Sequence, residues 1–199
     1  MNKIKKQNKI IESALKIFSK NGFYNTTISY ITDDLKMSVG NFYNYFPSKK
    51  SLARASMVFV TKKLASNLRY INAKHITSRE KITLFVQGYF DFVKQNPEMI
   101  EYFFRVYLSN RELFCEHEDC GFSLAKEFID EVKTLFEDGR KNKEFMQKDF
   151  FVAFSSIVGI LGGMTFLSGE HVLEDDIQSY CTKVSEAIYN ALRAPLITL

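Results

Sequence analysis

The sequence predicts an all-α fold, a three-helix N-terminal unit followed by a larger helical body. Three observations point there. Apolar residues recur at helical spacing over most of the chain. No stretch sustains period-two alternation between hairpin turn signals, so no β-sheet is expected. Capping and helix-ending residues follow one another closely near the N-terminus, at Asn21-Gly22, Thr26-Thr27, Ser38, Pro47 and Ser48.

Residues 3–20 form the first predicted helix. Ile10, Ala14, Ile17 and Phe18 make its stripe, Ile11 and Leu15 widen it, and Lys3, Lys6, Lys9, Lys16 and Lys20 lie mostly off it. Gly22 ends this helix, because glycine takes the left-handed conformation without Cβ strain. Thr26 or Thr27 supplies a hydroxyl cap for a short second helix, about 28–35, with Ile28, Ile31 and Leu35 on one face. Ser38 caps a third, 39–45, which Pro47 stops. Ser48 caps a long fourth helix reaching about Ile71. The body continues with 78–95, burying Ile82, Phe85, Val86, Tyr89 and Val93. Pro97 then opens a helix over 99–108, and an irregular polar segment covers 109–119. Three further helices follow: 121–139, with Phe122, Ala125, Ile129, Val132 and Phe136 at helical spacing; 149–168, apolar on nearly every face; and 174–193, burying Ile177, Cys181, Val184, Ile188 and Leu192. The expected division is 1–47 and 48–199.

Composition narrows the class. With 46% hydrophobic and 25% charged residues the chain is an ordinary globular mix, and three Pro and nine Gly exclude collagen-like and low-complexity architectures. The net charge of +4 is modest but uneven: nine of the 27 Lys+Arg and only three of the 23 acids fall in residues 1–50. That basic quarter reads as a footprint for a polyanion, or as a solvated lysine-rich helix. Lys3, Lys5 and Lys6 extend as an arm over phosphates or form a solvated tail. An odd cysteine count (Cys115, Cys120, Cys181) favours a reducing compartment. The N-terminal MNKIKKQNKII has no apolar signal-peptide core. Phe150–Leu167 approaches transmembrane length, but it lacks a flanking aromatic belt and lies close to Lys148, Asp149 and Glu170. A buried or subunit-interface helix is the expectation, with no membrane partner and a cytoplasmic location.

Thr26–Lys49 carries the most information. Two short helices joined by a three-residue turn and braced by an amphipathic helix make a helix-turn-helix unit. In the second of these helices Gly40 has no side chain to hold a backbone away. Asn41 presents both a donor and an acceptor to a base edge, and the hydroxyls of Tyr43 and Tyr45 reach phosphate oxygens. Lys49 and Lys50 stand in the first turn of the fourth helix, where the dipole disfavours cations; a phosphate there resolves the conflict.

At these residues the chain resembles a family. IIESALKIFSKNGFYNTTISYI and SVGNFYNYFPSKKSL are similar to the N-terminal domain of TetR/AcrR-family bacterial transcriptional repressors. The apolar-x-x-A-x-x-x-F pattern of the first helix, Gly22-Phe23, Thr27, Ile31 and Gly40-x-x-Tyr43-x-x-Phe46-x-x-Lys49 all fall at the family's spacing. The resemblance implies a nine- or ten-helix homodimer in which Thr26, Thr27, Ser38, Val39, Asn41, Tyr43 and Lys49, with Gly40 between them, face a palindromic double-stranded DNA operator. It also implies that residues 48–199 are a ligand-binding and dimerisation domain whose last two long helices pair with their symmetry mates, through Ile157, Leu161, Gly162, Val184 and Ile188. Lys36 stands where the family often has glycine in the turn. Either Lys36 accepts a left-handed conformation, at about 1–2 kcal/mol, or the turn takes another geometry. Thr32 replaces a common Ala.

Aromatic residues crowd the body. Phe85, Tyr89, Phe103, Tyr107, Phe122, Phe128 and Phe154 are core, cavity lining, or both. With few paired charges among them, an apolar or amphipathic effector is expected. A cation held against the rings, with Glu101, Glu127 or Glu131 as counter-charge, is the weaker version. Gly159, Gly162 and Gly163 favour close helix–helix approach over bending around a ligand. The run Cys115-Glu116-His117-Glu118-Asp119-Cys120 admits metal or redox sensing, yet its spacing fits no standard zinc pattern, so no metal or cofactor is expected. Three histidines without an orienting frame, and no phosphate-cradling loop, leave no catalytic residue to name. The functional expectation is a ligand-responsive, sequence-specific DNA-binding repressor rather than an enzyme. The alternative is a helical ligand-binding or interaction protein without operator specificity.

Overall fold

The computed structural model describes residues 3–115 and 121–193. Among them are nine α-helices: α1 (Lys3–Asn21), α2 (Ile28–Asp34), α3 (Val39–Tyr43), α4 (Lys49–Asn72), α5 (Ser78–Gln95), α6 (Pro97–Tyr102), α7 (Lys126–Lys141), α8 (Phe150–Gly169) and α9 (Cys181–Leu192). A π-helix, Phe103–Leu108, continues α6, and 3-10 turns cover Arg111–Leu113, Gly121–Ala125 and Ile177–Tyr180. No strand occurs among the described residues; Phe145 and Arg193 form an isolated antiparallel bridge. His117 and Cys120 lie outside the described residues, so the metal or redox reading of that run does too. Lys3, Lys5 and Lys6 belong to α1 rather than to an extended arm.

The chain divides into two compact units, one of Met1–Lys63 with Asn96–Lys126, the other of Leu64–Gln95 with Glu127–Leu199. This division falls inside α4, not at the boundary expected after residue 47. In the first unit Ile10, Ala14, Leu15 and Phe18 of α1 are fully buried, together with Ile31, Phe42, Leu52 and Ala53. Phe18 stacks on Phe23 at 5.8 Å and meets Tyr102 at 5.9 Å. Tyr102 is buried completely, and its hydroxyl donates to Ala53 O at 2.7 Å. Burial holds that phenol far above its ordinary pKa. Arg54 donates to Phe114 O and Thr61 Oγ1 to Leu124 O, so α4 is tied to α6 at one place and to the segments after it at two. The π-helix, where the sequence pattern predicts continuous α-helix, sets Phe103 and Tyr107 face to face at 5.2 Å.

The second unit is built on Leu68, Ile82, Phe85, Val86, Phe90, Val132, Leu135, Ala153, Ile157, Leu161, Val184, Ile188 and Leu192. Its polar groups pin helix ends. The Glu144 carboxylate accepts from Ser78 N and Oγ, both at 3.0 Å, and so caps α5. Buried Lys81 donates to Asn72 O at 2.9 Å and stands 3.5 Å from Asp138. Tyr89 and Thr165 share a hydroxyl–hydroxyl bond of 3.0 Å, and burial raises the Tyr89 pKa. α8 is long and apolar enough, by length and composition, to cross a membrane.

Candidate DNA-binding interface

The first unit presents α2, a turn and α3. α1 ends at Gly22, which has φ +73° and donates its N–H to Phe18 O at 2.8 Å. Thr27 is the α2 cap: its side-chain oxygen accepts from Tyr30 N at 3.3 Å. Thr26 has the other fate. It is buried, and its hydroxyl donates inward to Gly22 O at 2.8 Å, which corrects the outward position expected for it. α2 is tied to α1 by Ser13 Oγ donating to Asp34 Oδ2 at 2.7 Å.

The turn resolves the question posed by Lys36. Lys36 has φ +50°, its N–H goes to Asp33 O, and Met37 N donates to Thr32 O at 2.9 Å. This pair of bonds is a Schellman closure, with a lysine where glycine carries no strain. Ser38 then caps α3 by accepting from Asn41 N at 3.2 Å.

α3 has two unlike faces. Phe42 and Phe46 are buried and pack at 6.0 Å. Ser38, Val39, Gly40 and Tyr43 are exposed, and Asn41 is half-buried. An added Cβ on Gly40 meets nothing within 4 Å, so the protein's own packing does not require that glycine. Asn41 Oδ1 accepts from Asn44 Nδ2 at 3.4 Å, which leaves the Asn41 amide N–H pair pointed elsewhere. Because the Thr27 and Ser38 oxygens accept from the backbone, each O–H is left to donate outward.

Lys49 behaves differently from a surface cation. Its ammonium donates to Phe23 O at 2.9 Å and Thr26 O at 2.7 Å, and lies 4.4 Å from the Phe23 ring centroid. Partial burial lowers its pKa. The side chain therefore braces the α1–α2 connection, a role that the sequence pattern does not distinguish from a phosphate contact. Tyr30, exposed on α2, was not singled out by sequence; its only signal is an aromatic residue off the Ile28–Ile31–Leu35 face.

The expected effector lining does not come together as one set. Phe103, Tyr107 and Phe122 belong to the first unit, and Phe85, Tyr89, Phe128 and Phe154 to the second. Within the second, Phe85–Phe128 and Phe128–Phe154 are ring neighbours at 6.2 and 6.5 Å. In the first, Tyr107 meets Phe114 at 5.1 Å. Phe122 is 43% exposed, while Gly121 beside it lies against Tyr107 and Phe114. A cavity of about 850 Å³ is lined instead by polar residues, among them Asn72, His75, Lys81, Asp138 and Glu144.

The expected dimer residues need a like correction. Ile157, Leu161, Val184 and Ile188 are buried in the core of the protomer's second unit, and Gly162 is half-buried. α8 is apolar all round, so its periodicity does not reveal which stripe turns inward.

Residues 10–56 match the family model for bacterial regulatory proteins, tetR family. Over 190 residues the chain is 24% identical to the HTH-type transcriptional regulator QacR of Staphylococcus aureus, covering 94% of this chain and 97% of that protein. Over 69 residues it is 36% identical to the HTH-type transcriptional regulator YuxN of Bacillus subtilis, covering 35% of this chain and 24% of that one. The structure of the transcriptional regulator FadR from Bacillus subtilis, in complex with stearoyl-CoA, shares the fold with a TM-score of 0.76 at 15% identity, over 92% of this chain and 98% of that chain.

Proposed function

We propose that this chain, whose residues 10–56 match the family model for bacterial regulatory proteins, tetR family, is a regulator of that family: a ligand-responsive repressor that binds a two-fold symmetric DNA operator as a cytoplasmic homodimer and performs no catalysis. One observation carries the reading: α3 is fastened by Phe42 and Phe46 and turns Ser38, Val39, Gly40 and Tyr43 to the outside.

α3 enters the major groove, where Gly40 allows close backbone approach and the Asn41 amide reads a base edge. Thr27, Ser38 and Tyr43 hydroxyls donate to phosphate oxygens and fix the register. Lys49 acts one step back, holding the loop that carries Thr27. A five-residue helix contacts few bases, so useful specificity needs two heads on two half-sites.

The effector in this reading is apolar or amphipathic, and the stearoyl-CoA complex of the Bacillus subtilis regulator is one example of such chemistry in a protein of this fold. α4 is the route of coupling, since Leu52 belongs to the core of the first unit and Leu68 to that of the second. Tenfold release of operator needs about 1.4 kcal/mol of coupling, and operator must weaken effector binding by the same factor.

The test is selection from a random duplex library. Enrichment of one palindromic sequence supports the reading. Binding without enrichment reduces the protein to a helical ligand-binding or interaction module with non-specific phosphate affinity.

A further inference from the structure

The side chain turned most directly away from the anchor of α3 is that of Asn44. At about 100° per residue, Gly40 and Asn44, two positions to either side of Phe42, stand about 160° from it, whereas Asn41 and Tyr43 stand about 100° from it. Asn44 follows α3 as its C-cap residue with φ −69° and ψ −15°, so the helical direction still applies to it. Phe42 is buried, and Gly40 and Asn44 are exposed. Residues four apart on a helix lie one above the other, with Cβ tilted toward the N-terminus, so Asn44 leans over Gly40. A Cβ added at Gly40 meets nothing within 4 Å, which leaves this outward strip open.

The Asn44 carboxamide is oriented by its neighbour. Asn44 Nδ2 donates to Asn41 Oδ1 at 3.4 Å, so the Asn44 oxygen is turned away from Asn41. Among the described residues no group donates to Asn44 Oδ1, and both of its lone pairs are left to accept. One Nδ2 proton is left as well, and it suits a phosphate as readily as a base. The oxygen does not. Phosphate oxygens only accept, so the DNA backbone offers that oxygen no partner. In the major groove the donors are the exocyclic amines, N6 of adenine and N4 of cytosine. On duplex DNA an acceptor carried on the outward strip of α3 therefore meets its partner on a base.

We infer that Asn44 is a second base reader, whose Oδ1 accepts from the exocyclic amine of an adenine or a cytosine in the base pair next to the one that Asn41 reads. The inference rests on the DNA-binding reading above and adds to it a specificity residue and the class of base it selects. Three residues advance about 4.5 Å along a helix, and successive phosphates of one strand are about 3.4 Å apart along the duplex axis, so the two carboxamides address neighbouring pairs. Every base pair holds an amine in the major groove, on one strand or the other. Asn44 thus selects an amino base, adenine or cytosine, over a keto base, guanine or thymine, on a given strand.

Selection from a random duplex library, run on the full chain and on its Asn44→Ala and Asn44→Asp variants, tests this. The unmodified chain should enrich a palindrome whose half-site holds an amino base at one position of one strand, and Asn44→Ala should accept keto bases there. Asn44→Asp keeps an acceptor but sets a negative charge among phosphates. It should weaken binding to every duplex and retain the amino-base preference. Removing only the amine of that base, with purine in place of adenine or 2-pyrimidinone in place of cytosine, should weaken the unmodified chain at least about fivefold over two half-sites and leave Asn44→Ala unaffected. All three chains should keep the same helical circular dichroism, since Asn44 is exposed. A palindrome whose base preferences survive Asn44→Ala, or whose amine can be removed without effect on the unmodified chain, overturns the inference and leaves the DNA-binding reading standing. An equal loss on palindrome and scrambled duplex in Asn44→Ala does the same, because it marks a phosphate contact. Failure of the unmodified chain to enrich any sequence overturns both.

Discussion

α3 and α8 both turn a face outward, and the two faces are opposite in chemistry. α3 spends its bulk inward, on Phe42, and shows hydroxyls, an amide and a bare glycine. α8 is apolar on both sides, and its Phe151, Val152, Phe166 and Leu167 are exposed. The first surface suits a hydrated polyanion, met through directed hydrogen bonds. The second offers apolar side chains and bare glycines, with few groups that direct a hydrogen bond outward. An outward face is therefore informative through the groups it presents rather than through its exposure alone.

The contrast is broken most severely at the anchor of α3. Phe42→Ala should cost about 3–5 kcal/mol of stability and abolish operator binding, whereas Val39→Ala, on the exposed side, should change stability by no more than about 0.5 kcal/mol. Urea denaturation checks both. Equal effects would mean that α3 is not seated by its aromatic face.

Lys49→Ala separates bracing from phosphate contact. Two charge-assisted bonds to Phe23 O and Thr26 O, discounted for partial exposure, should make the loss about 1–2 kcal/mol of stability. A direct phosphate contact predicts unchanged stability and a salt slope lower by about one.

A buried tyrosine in each unit answers to pH. Burial raises the Tyr102 and Tyr89 pKa values. A raised folded pKa means that stability is intact below the unfolded value, about 10, and is lost as pH rises beyond it. Tyr102→Phe should cost about 1 kcal/mol near neutrality and make the alkaline fall less steep. A fall of the same slope in the variant would show that Tyr102 ionises freely in the folded state.

The smallest effect sharpens the α2–α3 turn. Lys36→Gly removes the strain of φ +50° and should stabilise the protein by up to about 1 kcal/mol, after the greater flexibility of unfolded glycine is counted. Thermal denaturation shows it; destabilisation would contradict the left-handed turn.

The two regions also differ in how far the sequence revealed them. The helix-turn-helix was legible because its constraints are local: Gly22, Thr27 and Ser38 sit at caps, and Phe42 and Phe46 repeat at helical spacing. Thr26 and Lys49 were not legible in the same detail. Two adjacent threonines offer the same cap, and nothing local says that a lysine folds back onto carbonyls 23 and 26 residues earlier. α8 is legible in the sequence as a helix without a side, since a uniformly apolar helix has no period to orient it, and spacing alone does not tell its inward stripe, Ile157 and Leu161, from an outward one. The aromatic residues of the body announced a core, but their partition between two compact units depends on long-range packing that spacing does not encode.

The central claim is that the exposed tip of α3 reads bases. It is tested by the ratio of affinities for the selected palindrome and for a scrambled duplex, measured at one salt concentration for the unmodified chain and for Asn41→Ala. The unmodified ratio should reach about 10³ or more. Asn41→Ala should lower it through a loss of about 1–3 kcal/mol per base contact on the palindrome, with scrambled-duplex affinity and stability unchanged. A ratio that Asn41→Ala leaves intact, or one near unity in the unmodified protein, would contradict the account.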